Sequence, residues 1–152
     1  MLVNDSIDNN GTFTPIYPAG SEALGINDAD QVVGYYGTDG GLETFGFLYS
    51  GGTYTSLGDP FSTGDTEAWG INDASEIVGT YGDATGLHGF LDNGGVFTSL
   101  DDPTATGFTF PQAINNLGQI VGSTETRAET TTDFCTISEP RPLQTSIRQA
   151  ST

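Results

Sequence analysis

The sequence holds no lysine, only three arginines, and single copies of cysteine, methionine, histidine and tryptophan in 152 residues. Each shortage closes off a class of function. Residues 1–122 carry 16 Asp and Glu and no Lys or Arg, because Arg127, Arg141 and Arg148 all lie in the last thirty positions. A surface of one sign cannot displace the counterions of a phosphate backbone, so nucleic acid is excluded as a partner. The net charge of -17 makes cations the natural ligands instead. One cysteine, Cys135, permits no intramolecular disulfide. No apolar run reaches the length of a membrane span. The first residues, MLVNDSIDNNG, lack the basic and apolar regions of a secretory signal.

What the chain does have is 22 Gly, 9 Phe and 6 Tyr, a mixture suited to short strands joined by tight turns. It also has internal repetition. Ala68 to Pro103 reads AWGINDASEIVGTYGDATGLHGFLDNGGVFTSLDDP, and Ala23 to Pro60 reads ALGINDADQVVGYYGTDGGLETFGFLYSGGTYTSLGDP. Asn27 pairs with Asn72 and Gly34 with Gly79 at a spacing of 45, whereas Gly46–Gly89, Leu57–Leu100 and Pro60–Pro103 are 43 apart. The two missing residues therefore fall in the loop between Gly82 and His88. A third copy opens at Gln112 with QAINNLGQIVG and stops matching after Gly122. At the other end, Thr12-Phe13-Thr14 matches Val96-Phe97-Thr98, so NNGTFTPIYP is the end of a preceding copy. The expected organisation is a partial repeat over 1–22, full repeats over 23–66 and 67–111, and the start of a third over 112–122. Because the first repeat is incomplete, the chain reads as a piece of a longer protein whose signal lay upstream.

Each full repeat holds four alternating apolar segments separated by turn residues. In the second copy they are Glu67–Asn72, Glu76–Tyr81, Leu87–Asp92 and Val96–Leu100. Their counterparts are Glu22–Asn27, Gln31–Tyr36, Glu43–Tyr49 and Thr53–Leu57. Connections as short as Asn93-Gly94-Gly95 predict hairpins. The fold class is all-β: tandem four-stranded antiparallel meanders, each the size of a β-propeller blade. Gly25, Gly34, Gly70 and Gly79 sit inside strands, where glycine is costly, and so predict close approach of a neighbouring backbone or ring. Two blades and two fragments do not close a ring alone, which makes a cyclic homo-oligomer a reasonable assembly. Residues 123–152 lose the glycines and gain the arginines, and read as a disordered extension or as sequence foreign to the repeats.

The series G-I-N-D-x-x-x-x-V-G-x-Y, H-G-F-L, G-x-F-T-x-L and D-x-P resembles the HAF family of extracellular repeats over residues 11–122. The family's tripeptide stands here as His88-Gly89-Phe90, and in the first copy as Phe45-Gly46-Phe47, without the histidine. The resemblance implies a bacterial secreted or cell-surface parent and assigns no reaction.

Two groups of residues are candidates for chemistry. Asn27, Asp28 and Asp30, with Asn72, Asp73 and Asn115, recur in the turn after the first strand. Such residues hydrogen-bond their own turns, or their oxygens converge from several repeats on a calcium ion. His88, with Asp83 before it and Asp92 beyond, is the one candidate general base. No G-x-S-x-G elbow supports a serine nucleophile. The leading expectation is an extracellular calcium-binding repeat module that binds another molecule, a small molecule or a glycan. A calcium-dependent hydrolase of small lactones or esters, by analogy with calcium-dependent propeller lactonases, is the alternative. A carbohydrate-binding propeller using Trp69 and the tyrosines is a third.

Overall fold

A computed structural model describes residues 5–16, 20–37 and 43–126, together with the backbone of 130–136. Every regular element among the described residues is a strand. A hairpin of β1 (Ser6–Asn9) and β2 (Thr12–Pro15) comes first. It is followed by a meander of β3 (Ser21–Ile26), β4 (Val32–Gly37), β5 (Thr44–Ser50) and β6 (Thr53–Leu57). A second meander holds β7 (Thr66–Ile71), β8 (Glu76–Asp83), β9 (Gly86–Asn93) and β10 (Val96–Ser99), and a third sheet holds β11 (Thr109–Ile114), β12 (Ile120–Thr126) and β13 (Thr130–Thr136). All pairs are antiparallel. The expected strands and their neighbours are therefore the observed ones, to within a few residues at each end. No helix among the described residues is long and apolar enough to cross a membrane.

The sheets stack in chain order, with the first strand of each lying across the strands of the one before, as β7 lies on β3, β4 and β5. Glycine sets the spacing. A side chain at Gly25 would meet the Cα of Gly70 at 3.2 Å, and one at Gly70 would meet the Cα of Ala113 at 3.0 Å. Bare backbone thus packs on bare backbone along the stack. A second set of glycines works within each sheet. Gly34 pairs with Phe47 and Gly79 with Phe90, and both rings are fully buried. The first strand of each sheet carries an irregularity at the same place, between Ala23 and Gly25, Ala68 and Gly70, and Pro111 and Ala113. This displaced backbone brings the carbonyls of Glu22 and Glu67 against Gly34 and Gly79, so carbonyl and ring together leave no room for a Cβ. The crowding expected at all four glycines is present.

One expectation changes. The third sheet does not end at Gly122, because β12 runs on to Thr126 and β13 pairs along its length. Gly122 lies opposite Phe134, as Gly34 lies opposite Phe47 and Gly79 opposite Phe90. Residues 130–136, TTTDFCT, are thus a third strand in the usual register, held by β-branched propensity after the motif letters have gone. Residues 137–152 lie outside the described residues.

Gly79→Ala should cost about 2 kcal/mol or more, since the new methyl must displace both the Glu67 carbonyl and the Phe90 ring. Thermal melting should fall by about 5 °C or more. Gly58→Ala, where a methyl meets nothing within 4 Å, should leave the midpoint unchanged.

Candidate functional site

The turn after each first strand is built by its asparagine. The Oδ1 of Asn72 accepts the backbone N–H groups of Ala74 and Glu76, both at 3.0 Å, closing the turn around Ser75, whose φ is 60°. Asn27 does the same with Ala29 and Gln31 at 3.1 and 3.0 Å, and Asn115 with Leu117 and Gln119 at 3.0 and 2.9 Å. The amide nitrogens then link the repeats. Asn27 Nδ2 donates to the Asn72 carbonyl at 3.0 Å, and Asn72 Nδ2 donates to the Asn115 carbonyl at 3.1 Å. Their second protons go to Gln31 and Glu76 within their own turns, each at 2.7 Å. A parallel set of bonds runs beside this ladder. Asp28 N–H donates to Asp73 Oδ1, and Asp73 N–H donates to Asn116 Oδ1, both at 2.9 Å.

The structure therefore brings Asn27, Asn72 and Asn115 together as rungs, with Asp28 and Asp73 on the rail beside them. Asp30 occupies the left-handed position of its turn, with φ at 56°. An amide oxygen has two lone pairs, and on each of these three asparagines both face a backbone N–H. Arranged so, these oxygens close turns and are not directed at a common ion. Among the described residues, no group of three or more His, Cys, Asp or Glu side chains is placed to hold a metal.

His88 sits at the β8–β9 end of the second sheet, stacked on Tyr81 with ring centroids 5.2 Å apart. Its Nε2 lies 3.2 Å from Asp83 Oδ1 and 2.9 Å from Thr85 Oγ1, and its Nδ1 lies 3.0 Å from Asp101 Oδ2. Ser99 donates to the same Asp101 oxygen at 2.8 Å. The structure thus confirms the proximity of His88 and Asp83 but not of Asp92. Asp92 is four residues further along β9, about 13 Å at 3.3 Å per residue. There it is buried and accepts the Gly95 N–H at 2.7 Å, fixing the β9–β10 turn. Asp101 takes its place. Sequence distance concealed it, since Asp101 reaches His88 only because β10 returns alongside β9 and Leu100 N–H bonds to the Gly89 carbonyl. With oxygens at both ring nitrogens, the imidazole is clamped between Asp83, Thr85 and Asp101.

The Thr85 hydroxyl and N–H, with His88 behind them, hold the Asp83 carboxyl down at about 2. Burial acts the other way on Asp59, Asp92 and Glu67, each pushed above the usual carboxylate range.

Tyr35 of β4, Trp69 of β7 and Phe110 of β11 form a row, one ring from each sheet, with centroids 6.1 and 4.7 Å apart. Tyr81, Phe47 and Phe90 are buried, whereas these three rings are half-buried. The Tyr35 hydroxyl donates to the Glu22 carboxylate, and Trp69 Nε1 donates to Thr80 Oγ1 at 3.3 Å. Glu67 lies beside Trp69.

Compared with known proteins, the chain matches no protein-family model and no curated protein.

Asn72→Ala strands two backbone N–H groups and one interrepeat acceptor, so it should cost about 2–4 kcal/mol. The loss should be the same in calcium and in chelator when followed by thermal melting; a loss confined to calcium would make the turn a metal site. The pH dependence also has a direction. Groups whose folded pKa is raised (Asp59, Asp92, Glu67) contribute stability that is lost as pH climbs through and above the carboxylate range. Asp83, with its folded pKa depressed, contributes stability that is lost as pH falls from its ordinary 3.8 toward about 2. Melting temperature should therefore be higher at pH 5 than at pH 8 and fall again below about 4, with Asp83→Asn flattening the acid limb.

Proposed function

We propose that the chain is a non-catalytic β-propeller-type repeat module that binds neutral carbohydrate along the Tyr35–Trp69–Phe110 row. The observation that carries this reading is the row itself: three half-buried rings in contact, one from each sheet, with carboxylates at Glu22 and Glu67 beside them. Aromatic faces take the apolar faces of sugar rings, and carboxylate oxygens accept hydrogen bonds from their hydroxyls. Each sheet contributes one ring, so the row has the repeat of a polymer and suits an oligosaccharide better than a single sugar. The excess of acid disfavours anionic glycans. The resemblance to the HAF repeats supports an extracellular setting. The calcium-dependent hydrolase alternative is not carried here, because the asparagine oxygens that would face calcium close their own turns.

Trp69 is the sole tryptophan, so its fluorescence reports directly on the row. Titration with a panel of neutral oligosaccharides should give a saturable change with at least one of them. Trp69→Ala should abolish binding measured by calorimetry, and Phe110→Ala should weaken it about tenfold. No spectral change with any member of the panel would contradict the proposal.

A further inference from the structure

Among the described residues, the surfaces that join one repeat to the next recur at the two ends of the stack with their apolar side chains more exposed. On the side facing the following repeat, Val33 and Val78 are both 0 % exposed, whereas Val121, their counterpart in the third sheet, is 44 % exposed. On the side facing the preceding repeat the order reverses. Ile71 is 7 % exposed beneath the first meander, whereas its counterpart Ile26 is 58 % exposed. The polar groups follow the same rule. The carbonyls of Asn72 and Asn115 each accept a turn N–H and an asparagine amide, whereas among the described residues the Asn27 carbonyl accepts only the Asp30 N–H. At the opposite end, among the described residues Asn115 Nδ2 donates only to Gln119, and its other proton has the direction that reaches the next rung elsewhere.

The β1–β2 hairpin covers part of the first meander. It occupies the place of the last two strands of a repeat: Asp8 accepts the Gly11 N–H at 2.7 Å just as Asp92 accepts the Gly95 N–H. Asp5 holds it down by accepting the Ala23 N–H at 2.6 Å, and Ile16 is buried beneath it. Beside it lies an open cleft of about 230 Å³, lined by Ser6, Ile7, Ile16, Leu24, Ile26 and Val32. This is where the first two strands of a repeat would lie.

We infer that the exposed face of the first meander, of which this cleft is one part, receives β11 and β12 of a second copy of this chain, forming a head-to-tail contact that continues the repeat stack across molecules. Val121 of the second copy covers Ile26, and its Asn115 amide donates to the Asn27 carbonyl. Among the described residues β1 pairs only with β2, which leaves its other edge to the docked strand. In the docked state it takes the edge of β12 that β13 holds within one chain, in the same antiparallel sense. Exchange of one strand for another makes the contact reversible and concentration-dependent, with burial of the exposed apolar face favouring it. The contact is heterologous, so it propagates to a closed ring or an open chain.

Sedimentation over a range of concentrations should show a mass rising above the 15.9 kDa of one chain. Ile26→Arg spoils the receiving face and Val121→Arg the donating face. Each variant alone should raise the dissociation constant at least about tenfold, and an equimolar mixture should recover a one-to-one dimer, since each retains the face the other has lost. A second measurement is independent of these charges. In a Cys135→Ser background, chains carrying Ile26→Cys and chains carrying Val121→Cys should join by a disulfide when mixed, and neither should join to itself. A single-chain mass at every concentration, association that survives both arginine substitutions, or a mixture that gives neither dimer nor disulfide would overturn the inference.

Discussion

The structure depends on an asparagine that is used to saturation. Each of Asn27 and Asn72 closes its own turn with its oxygen and reaches the next repeat with its nitrogen. No other side chain could do both. Aspartate has no donor, serine has one oxygen and too short a reach, and glutamine does not place its oxygen over two successive backbone N–H groups. The bond to the next repeat is a buried one at Asn27, where an unpaired amide is costly, so the turn fixes the spacing of the stack as well as its own shape. Glycine makes that spacing reachable, since Gly25 and Gly70 let backbones approach within about a methyl's width. Turn, stack and sheet interior are therefore satisfied together, and a change to one is felt by the others.

Much of this was legible in the residues. The period, the four strands of each repeat, the hairpins and the crowding at the strand glycines all follow from spacing and from the cost of glycine in a strand. What was not legible has a common cause: it depends on which strand returns beside which. Asp101 lies 13 positions from His88 and meets it only through the β9–β10 hairpin, whereas Asp92 is nearer in sequence and lies well along the strand. The third strand of the last repeat was hidden because it keeps the register of Phe opposite Gly and has lost the letters around it. The asparagines recur at one turn position, and the structure links them across the repeats. Their oxygens face turn N–H groups, which composition alone does not distinguish from ligation of a cation.

The same geometry separates support from recognition. The acidic turns and the His88 clamp spend their polar groups on neighbours within the chain. The Tyr35–Trp69–Phe110 row also ties its polar atoms to Glu22 and Thr80, and each of its rings comes from a different sheet. A repeat that holds itself together by an invariant turn is free to vary what it presents on its strands. The second copy has Trp69 where the first has Leu24 and the third has Gln112, all at the irregular position of the first strand.

The most direct test of the ladder is the exchange of the asparagine side-chain amide protons with solvent, followed by NMR. If the ladder joins the repeats, the Nδ2 protons of Asn27 and Asn72 exchange slowly and resonate apart from those of unstructured asparagines, while Asn115 at the end of the series exchanges faster. Equal, solvent-like exchange at all three positions would mean that the repeats are held by apolar packing alone.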